Sequence, residues 1–291
     1  MTQTAQLGLE GMPRRLYACT PTRLATWLDC PRRFRLTYLD RPPPAKGLPW
    51  AHNSMGVSVH NALRNWWDLP RHRRTPGGAV ALLQRDWLTE GYRDAEQASG
   101  WLERAGAMVA GYVATLDPAD EPVGVERTVA VRTSRLALRG RVDRIDRAGD
   151  EVVVIDYKTG RHVLSVDDAR GSLALALYAG AAASTLRASC RRVELHHLPT
   201  GAVLSWEHTD ESLARQLGRA EAIAAEAQAA EARWQAGLTV EEVDEVFPPR
   251  VGSLCGWCDF SQHCPQGRAS APRRRSWEGL EPVGTRPEEM L

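Results

Sequence analysis

Lysine is almost missing from this sequence of 291 residues. Of its 37 basic residues only two, Lys46 and Lys158, are lysines, and the remainder are arginines. The net charge is +1, a balance that favours no particular partner. A lysine kept in so arginine-rich a chain is either chance or stands where a compact ammonium serves and a planar guanidinium does not.

Several other signals are missing as well. No apolar run of about 18 residues occurs, so we expect no membrane span. Residues 1–12 lack the basic start and apolar run of a secretory signal, which favours the cytoplasm. The chain has no Gly-x-x-x-x-Gly-Lys-Ser/Thr loop, which excludes an ATP motor of the P-loop kind. With 43% hydrophobic and 25% charged residues, the composition is that of an ordinary globular protein and not of a disordered or fibrous one.

The periodicity of apolar residues predicts an α/β chain. The predicted helices cover 20–40 (with a break at Pro31), a segment capped by Asn53 or Ser54, about 77–93, about 97–116, 168–186 and about 210–235. The predicted strands cover 123–133, 136–147, 151–158, 191–199 and 202–208. We therefore expect one domain over 14–269, with a helical part at 20–120, a core at 121–235 and a cysteine-bearing lobe at 250–267, between flexible tails at 1–13 and 270–291.

A predicted hairpin brings two acids together. Gly149 and Asp150 form a turn signal between two strands. With a two-residue loop, Asp143 lies directly opposite Asp156, and Lys158 points to the same face while its neighbour Tyr157 points away. Two facing carboxylates repel each other unless a cation lies between them, and a hard divalent ion such as Mg²⁺ suits them. An ammonium beside that ion can hold the attacking water and offset charge growing on a phosphate, so the hairpin predicts a phosphodiester-cleaving site.

An ordinary surface hairpin is the alternative, with Asp143 paired to a neighbouring arginine such as Arg141, Arg144 or Arg147. The strand sequence VVVIDYK is too apolar for a strand that faces water, which favours the site.

The segments GRVDRID (140–146) and VVVIDYKTG (152–160) resemble the core of the PD-(D/E)XK nuclease superfamily, and in particular RecB-type nuclease domains. The resemblance implies a restriction-endonuclease-like core, with a central mixed sheet flanked by helices, a helical N-terminal insertion and a C-terminal iron–sulfur lobe. It implies that Asp143 and Asp156 bind Mg²⁺ or Mn²⁺ and that Lys158 is catalytic. The segment GVSVH (56–60) matches the family's Gly-x-x-x-His helix, so His60 is implied as a further metal ligand. The resemblance also implies the backbone carbonyl of Tyr157 as a metal ligand.

Two more residues are possible members of the site. Glu126 is placed where an upstream glutamate joins the site in some members of the wider superfamily. Tyr178 matches the tyrosine of the family's Gln-x-x-x-Tyr motif, but Ala174 stands where the glutamine is expected. This departure keeps open a second hypothesis, a DNA-binding module without catalysis. Tyr178 itself is equally well explained as a core aromatic residue.

Six cysteines occur, and Cys255, Cys258 and Cys264 form a Cys-x2-Cys-x5-Cys cluster typical of a metal or iron–sulfur site. Three ligands leave a four-ligand site incomplete, so a distant cysteine is needed. The sequence offers Cys19, Cys30 and Cys190 for that place.

The segment TRLATWLDCPRRF (22–34) resembles iron–sulfur variants of the RecB-type family, in which a lone cysteine before proline completes a 4Fe–4S cluster. The resemblance implies that Cys30 joins the three C-terminal cysteines, and that Cys19 and Cys190 are buried thiols. Zinc, in a protein that acts as a structural adaptor, and four free thiols are the alternatives.

Together these patterns predict a metal-dependent DNA exonuclease that prefers single strands and acts in DNA repair, recombination or CRISPR adaptation. Arginines cluster at 32–35, 71–74 and 273–275 and are candidate phosphate contacts, while Trp66 and Trp67 are candidate platforms for unpaired bases. The alternatives are solvated arginine runs and a tryptophan pair that belongs to the core. A separate helicase or CRISPR adaptation protein is a partner implied by the family alone.

Overall fold

The computed structural model describes residues 16–280. Its strands are β1 Tyr17–Cys19, β2 Gly124–Arg132, β3 Leu136–Ala148, β4 Glu151–Lys158, β5 Arg192–His197 and β6 Ala202–Glu207. Its α-helices are α1 Pro21–Asp29, α2 Pro31–Tyr38, α3 Ala51–Trp67, α4 Pro76–Arg85, α5 Ala95–Val113, α6 Val166–Gly171, α7 Leu173–Leu186, α8 Asp210–Ala236, α9 Val240–Val246 and α10 Pro265–Ser270.

The six strands form one mixed sheet in the order β1-β3-β4-β5-β6, with β2 paired to β3. The pairs β1–β3 and β4–β5 are parallel, whereas β2–β3, β3–β4 and β5–β6 are antiparallel. Helices cover both faces of this sheet. The predicted α/β class, with a central mixed sheet flanked by helices, is confirmed.

Strand β4 separates two apolar cores because its side chains alternate between the faces of the sheet. Val152 and Val154 belong to the core that includes residues of α1, α7 and α8. Val153, Ile155 and Tyr157 belong to the core that includes residues of α3, α4 and α5. Burial on both faces explains the continuous apolar run that the sequence shows here.

Several element boundaries differ from the predicted ones. Helix α3 begins at Ala51, and no side chain caps it, so the predicted cap at Asn53 or Ser54 is wrong. Helix α4 ends at Arg85 and not near 93. The predicted helix over 168–186 is divided at Ser172, whose side chain accepts a hydrogen bond from Leu175 N and so begins a new helix. Strand β1 has only three residues, too few for a periodic signal.

The segment 271–280 packs against the rest of the molecule, although the sequence predicts a flexible tail from 270 onward. Ser276 O accepts a hydrogen bond from Ala51 N at 3.0 Å, and Arg274 N donates one to Gly256 O at 3.1 Å. Leu280 is buried in the core that contains α3. Apolar residues within an Arg- and Glu-rich stretch therefore anchor it. The predicted tail over 1–13, and the remainder of the second tail, lie outside the described residues.

Over residues 16–280, the structure has no helix whose length and apolar character would let it cross a membrane.

Candidate active site

The hairpin of β3 and β4 has the register that its two-residue turn predicts. Gly149 adopts a φ of +63°, a conformation that favours glycine and allows the tight turn. The ladder runs from Ala148 opposite Glu151 to Arg144 opposite Ile155. The same register carried one pair further sets Asp143 opposite Asp156. The two acids therefore meet at the open end of this ladder.

A hydrogen bond holds Asp143, and an ion pair holds Asp156. Asp143 Oδ2 accepts a hydrogen bond from Tyr157 N at 2.9 Å. Asp156 Oδ2 lies 2.5 Å from Lys158 Nζ, and the lysine side chain is 45% exposed. Tyr157 is buried on the opposite face, with its ring centroid 5.4 Å from that of Tyr112. The predicted acids and the predicted lysine thus lie together, and Tyr157, which the sequence predicts to point away from them, is buried on the other face of the sheet.

Helix α3 and strand β2 add two more side chains. His60 Nδ1 lies 3.4 Å from Asp143 Oδ2. Among the described residues, His60, Glu126 and Asp143 each offer a ligand atom, and these three atoms lie within 4.8 Å of one another. Asp156 is outside this group, and its carboxylate forms an ion pair with Lys158. The sequence predicted Glu126 only as a possible member of the site, but the structure places it in the group of three possible metal ligands, with Asp156 outside that group.

Glu126 has an unusual backbone. Its φ is +47°, a left-handed conformation that is costly for a residue other than glycine. The ladder between β2 and β3 pairs Val125 with Arg144 and Arg127 with Val142, but no pair joins Glu126 to Asp143 between them. This local distortion sits where the Glu126 carboxylate joins His60 and Asp143.

The charges of the site act strongly on one another. Burial raises the pKa of Glu126, and the nearby charge of Asp143 raises it further. Burial likewise raises the pKa of Asp156 against the opposing effect of Lys158. Burial alone would lower the pKa of His60, but its hydrogen bond with Asp143 and the surrounding carboxylates raise it. A bound divalent cation would reduce the repulsion between these neighbouring carboxylates.

Helix α7 brings Tyr178 over these acids. A Cβ built on Gly140 would lie 2.4 Å from Tyr178 Cε1, so the glycine allows the close approach. Burial, and then the charges of Asp156, Asp143 and Glu126, raise the pKa of Tyr178 to about 12. The tyrosine is thus both packed against β3 and close to the carboxylates.

A buried polar chain behind β4 was not predicted. Tyr112 Oη lies 2.7 Å from His196 Nδ1 and accepts a hydrogen bond from Arg144 at 3.1 Å. His196 Nε2 lies 2.7 Å from Glu194 Oε2. This chain supports the ring of Tyr157, whose backbone N–H holds Asp143. No sequence spacing signals it, because its members come from α5, β3 and β5.

The four cysteines that the resemblance grouped line one cavity. Cys30 caps the N-terminus of α2, and its Sγ accepts hydrogen bonds from Arg33 N and Arg250 N at 3.5 Å each. Cys264 Sγ accepts one from Gly267 N at 3.3 Å. Cys255 and Cys258 also line this cavity. Cys19 and Cys190 are buried elsewhere, as predicted.

The sulfurs that line this cavity are not gathered as closely as a single tetrahedral zinc ion would hold them. A Cβ on Gly267 would lie 3.2 Å from Cys264 Sγ and 3.5 Å from Cys255 Sγ, so the missing side chain leaves room beside the sulfurs. Within residues 16–280 no three cysteine sulfurs lie within 4.8 Å of one another. Tetrahedral zinc with Zn–S bonds of about 2.3 Å would hold its sulfurs roughly 3.8 Å apart.

The proposed nucleic-acid contacts are partly internal. Trp66 and Trp67 are buried, so the core alternative holds for this pair. Arg74 is also buried, with its guanidinium 5.5 Å from the Trp67 ring and paired with Glu121. Arg32 is buried beside the cysteine cavity. The two tryptophans therefore belong to the core, and Arg32 and Arg74 are buried and not free to bind phosphate.

Residues 18–265 match the model of the PD-(D/E)XK nuclease superfamily. The chain belongs to the PD-(D/E)XK nuclease superfamily. No curated protein matches the sequence.

The solved structures that are similar to the protein include the following two. The crystal structure of SSO0001 is 15% identical, with a TM-score of 0.40, over 87% of this chain and 89% of that chain. A crystal structure from Eubacterium rectale, described as a "Putative exonuclease", is 9% identical, with a TM-score of 0.47, over 76% of this chain and 84% of that chain. At these TM-scores the two likenesses carry no weight for activity.

Proposed function

We propose that the protein is a RecB-type DNA exonuclease that uses Mg²⁺ or Mn²⁺ and prefers single strands. The observation that carries the proposal is the meeting of His60, Glu126 and Asp143 beside the ion pair of Asp156 and Lys158. An imidazole nitrogen and carboxylate oxygens suit a divalent ion that keeps coordination positions open for water and phosphate. The family membership supplies the nuclease class.

Each side chain has a defined task in this proposal. Asp143 is held by the N–H of Tyr157 with its carboxylate beside His60 and Glu126, where the three side chains would bind the ion. Asp156 orients the Lys158 ammonium, which offsets the negative charge that grows on phosphorus. The backbone carbonyl of Tyr157 is proposed as a further ligand. A bound divalent ion supplies Lewis acidity and a more acidic water.

The two lysines provide a matched test. We expect Lys158→Ala to lose roughly 10²-fold or more of Mn²⁺-dependent cleavage of end-labelled single-stranded DNA. Lys46→Ala should cut like the native protein, because Lys46 lies over the Phe260 ring and outside the site. Equal cutting by native protein and Lys158→Ala would refute the assignment.

Substrate preference is read from the same assay. Labels at the 5′ and 3′ ends give the polarity, and a circular single strand separates exonuclease from endonuclease. Duplex DNA tests the proposed strand preference. A role in repair, recombination or CRISPR adaptation, with a separate helicase or adaptation protein, is proposed from the family alone.

A binding module without catalysis is the second candidate, and Ala174 in α7 favours it. Tyr178, one turn further along that helix, reaches the carboxylates, but Ala174 has no polar group to offer a substrate. DNA binding that persists without turnover in Mg²⁺, Mn²⁺ or any other divalent ion would support this candidate over the exonuclease.

We further propose that Cys30, Cys255, Cys258 and Cys264 hold a 4Fe–4S cluster. Their shared cavity, the backbone N–H groups aimed at the sulfurs and the spacing beyond that of zinc support a cluster, in which each thiolate binds a different iron. The cluster would join α2 to the C-terminal segment across 225 positions of the chain.

Iron content and colour test the cluster. We expect anaerobically purified protein to contain iron and to absorb visible light through sulfur-to-iron charge transfer. Cys30→Ser should lose both signals, whereas Cys190→Ser removes a buried thiol outside the cavity and should retain them. Zinc without visible absorption would replace the proposal with the zinc alternative.

A further inference from the structure

Arg32 is the most deeply buried charge beside the cysteine cavity. It follows Cys30 by two positions in α2, is 5% exposed and lines the cavity. Its Nη1 donates to Gln266 Oε1 at 2.6 Å and to Cys264 Sγ at 3.6 Å. Its Nη2 donates to Asp244 Oδ1 at 2.7 Å. The guanidinium therefore contacts a proposed ligand sulfur while two other groups fix its orientation.

The positive charge of Arg32 is only weakly balanced by protein. Its carboxylate partner, Asp244, has a side chain that is 58% exposed, so water screens that pair. Arg33 and Arg250 also line the cavity, and Asp29 is the acid there, lying 3.7 Å from Arg33. A buried cation that is poorly compensated is stabilised by an anion, and a cluster with four thiolates is an anion.

We propose that Arg32 sets the reduction potential of the iron–sulfur cluster through its charge and its hydrogen bond to Cys264 Sγ. This inference rests on the proposed 4Fe–4S cluster. Reduction adds one electron, supplied by an external reductant, to the irons and breaks no ligand bond. The reduced cluster carries one more negative charge, so a nearby cation and an N–H donor stabilise it more than the oxidised cluster. Arg32 therefore raises the potential.

A purely structural role makes a different prediction from an electrostatic one. If Arg32 only ties α2 to α9, then Arg32→Gln and Asp244→Asn break the same bridge and should act alike. If its charge acts on the cluster, Arg32→Gln removes a cation and lowers the potential, whereas Asp244→Asn removes an anion and leaves the potential equal or higher. The two variants thus separate the two roles by sign.

The test is an anaerobic titration of the full-length protein with dithionite, followed by visible absorption and by electron paramagnetic resonance of the reduced cluster. We expect a more negative midpoint for Arg32→Gln than for the native protein. Arg32→Lys keeps the charge and should shift less. Arg35→Gln is the matched control, because Arg35 is on the same helix and lies 3.2 Å from Asp40 but does not line the cavity. Its midpoint should equal the native one.

Several outcomes would overturn the inference. An unchanged or more positive midpoint for Arg32→Gln refutes it, as does an equal negative shift in Asp244→Asn. If Arg32→Gln loses its iron, Asp244→Asn carries the test: a midpoint equal to or above the native one supports the electrostatic role, and a more negative midpoint refutes it. An iron-free native protein is distinguishable from all of these, because it refutes the cluster itself.

Discussion

Removal of one hydroxyl, in Tyr112→Phe, tests the polar chain behind the active-site strand. The hydroxyl lies between Arg144 Nη1 at 3.1 Å and His196 Nδ1 at 2.7 Å. Both partners are buried, with 5% and 6% of their surface exposed. The substitution keeps the ring and its contact with Tyr157, so its effect reports the hydrogen bonds and not the packing.

The expected loss follows from the two buried partners. A buried polar group left without a hydrogen bond costs about 1–3 kcal/mol. Arg144 keeps its hydrogen bond to Asp146 at 2.6 Å, and His196 keeps its hydrogen bond with Glu194, so each group retains one partner. Two groups left without any partner would cost about 2–6 kcal/mol together, and the retained partners reduce this, so we expect Tyr112→Phe to lower the free energy of unfolding by about 2–4 kcal/mol.

Urea unfolding followed by tryptophan fluorescence measures this loss, and Tyr92→Phe is the matched control. The Tyr92 hydroxyl is buried, and within the described residues it has no hydrogen-bond partner, so its removal should be neutral or slightly stabilising. Mn²⁺-dependent cleavage per folded molecule should persist in Tyr112→Phe because the Tyr157 ring stays packed. Equal stabilities of Tyr112→Phe and Tyr92→Phe would refute the reasoning.

Two further substitutions test packing and charge. Gly140→Ala would set a Cβ 2.4 Å from Tyr178 Cε1 and should lower the free energy of unfolding in urea by about 1–3 kcal/mol. Gly180→Ala is the control: no heavy atom lies within 4 Å of its Cβ, so it should raise that free energy by up to about 1 kcal/mol. A Gly140→Ala protein as stable as the native one would contradict the close contact. Burial alone would raise the pKa of Glu194, but its hydrogen bonds to His196 and to a neighbouring arginine lower it. The carboxylate therefore stabilises the fold at pH values above its ordinary pKa, and this stabilisation is lost as the pH falls through the lowered pKa. The urea midpoint of native protein should therefore exceed that of Glu194→Gln above about pH 5, with a difference that shrinks on acidification below about pH 4; a difference that grows there would contradict the assigned direction.

Local rules account for what the sequence predicted well. The register of β3 and β4 follows from a two-residue turn, so the meeting of Asp143 and Asp156 required only counting along the hairpin. The long helix α8 and the break between α1 and α2 follow from apolar spacing and from Pro31. The grouping of Cys30 with three distant cysteines came from resemblance, because no spacing rule links positions so far apart.

Glu126 shows where sequence reasoning ends. Its strained backbone is set by strands β2 and β3 on either side of a missing pair, and no residue type near it announces a φ of +47°. The packing of Leu280 likewise depends on contacts with other elements, in the core that contains α3.

The sequence by itself predicted the acid pair with its lysine, because a two-residue turn and the alternation of side chains fix their register, and it predicted the class of protein and the cysteine set through resemblance. Only the tertiary structure decided that Glu126 joins His60 and Asp143, that Tyr112 and His196 support the site from behind, and that Arg32 points at a cysteine sulfur. The physical reason is that each of these contacts joins elements far apart in the chain, and the packing of the sheet between its two layers of helices sets the distance between them.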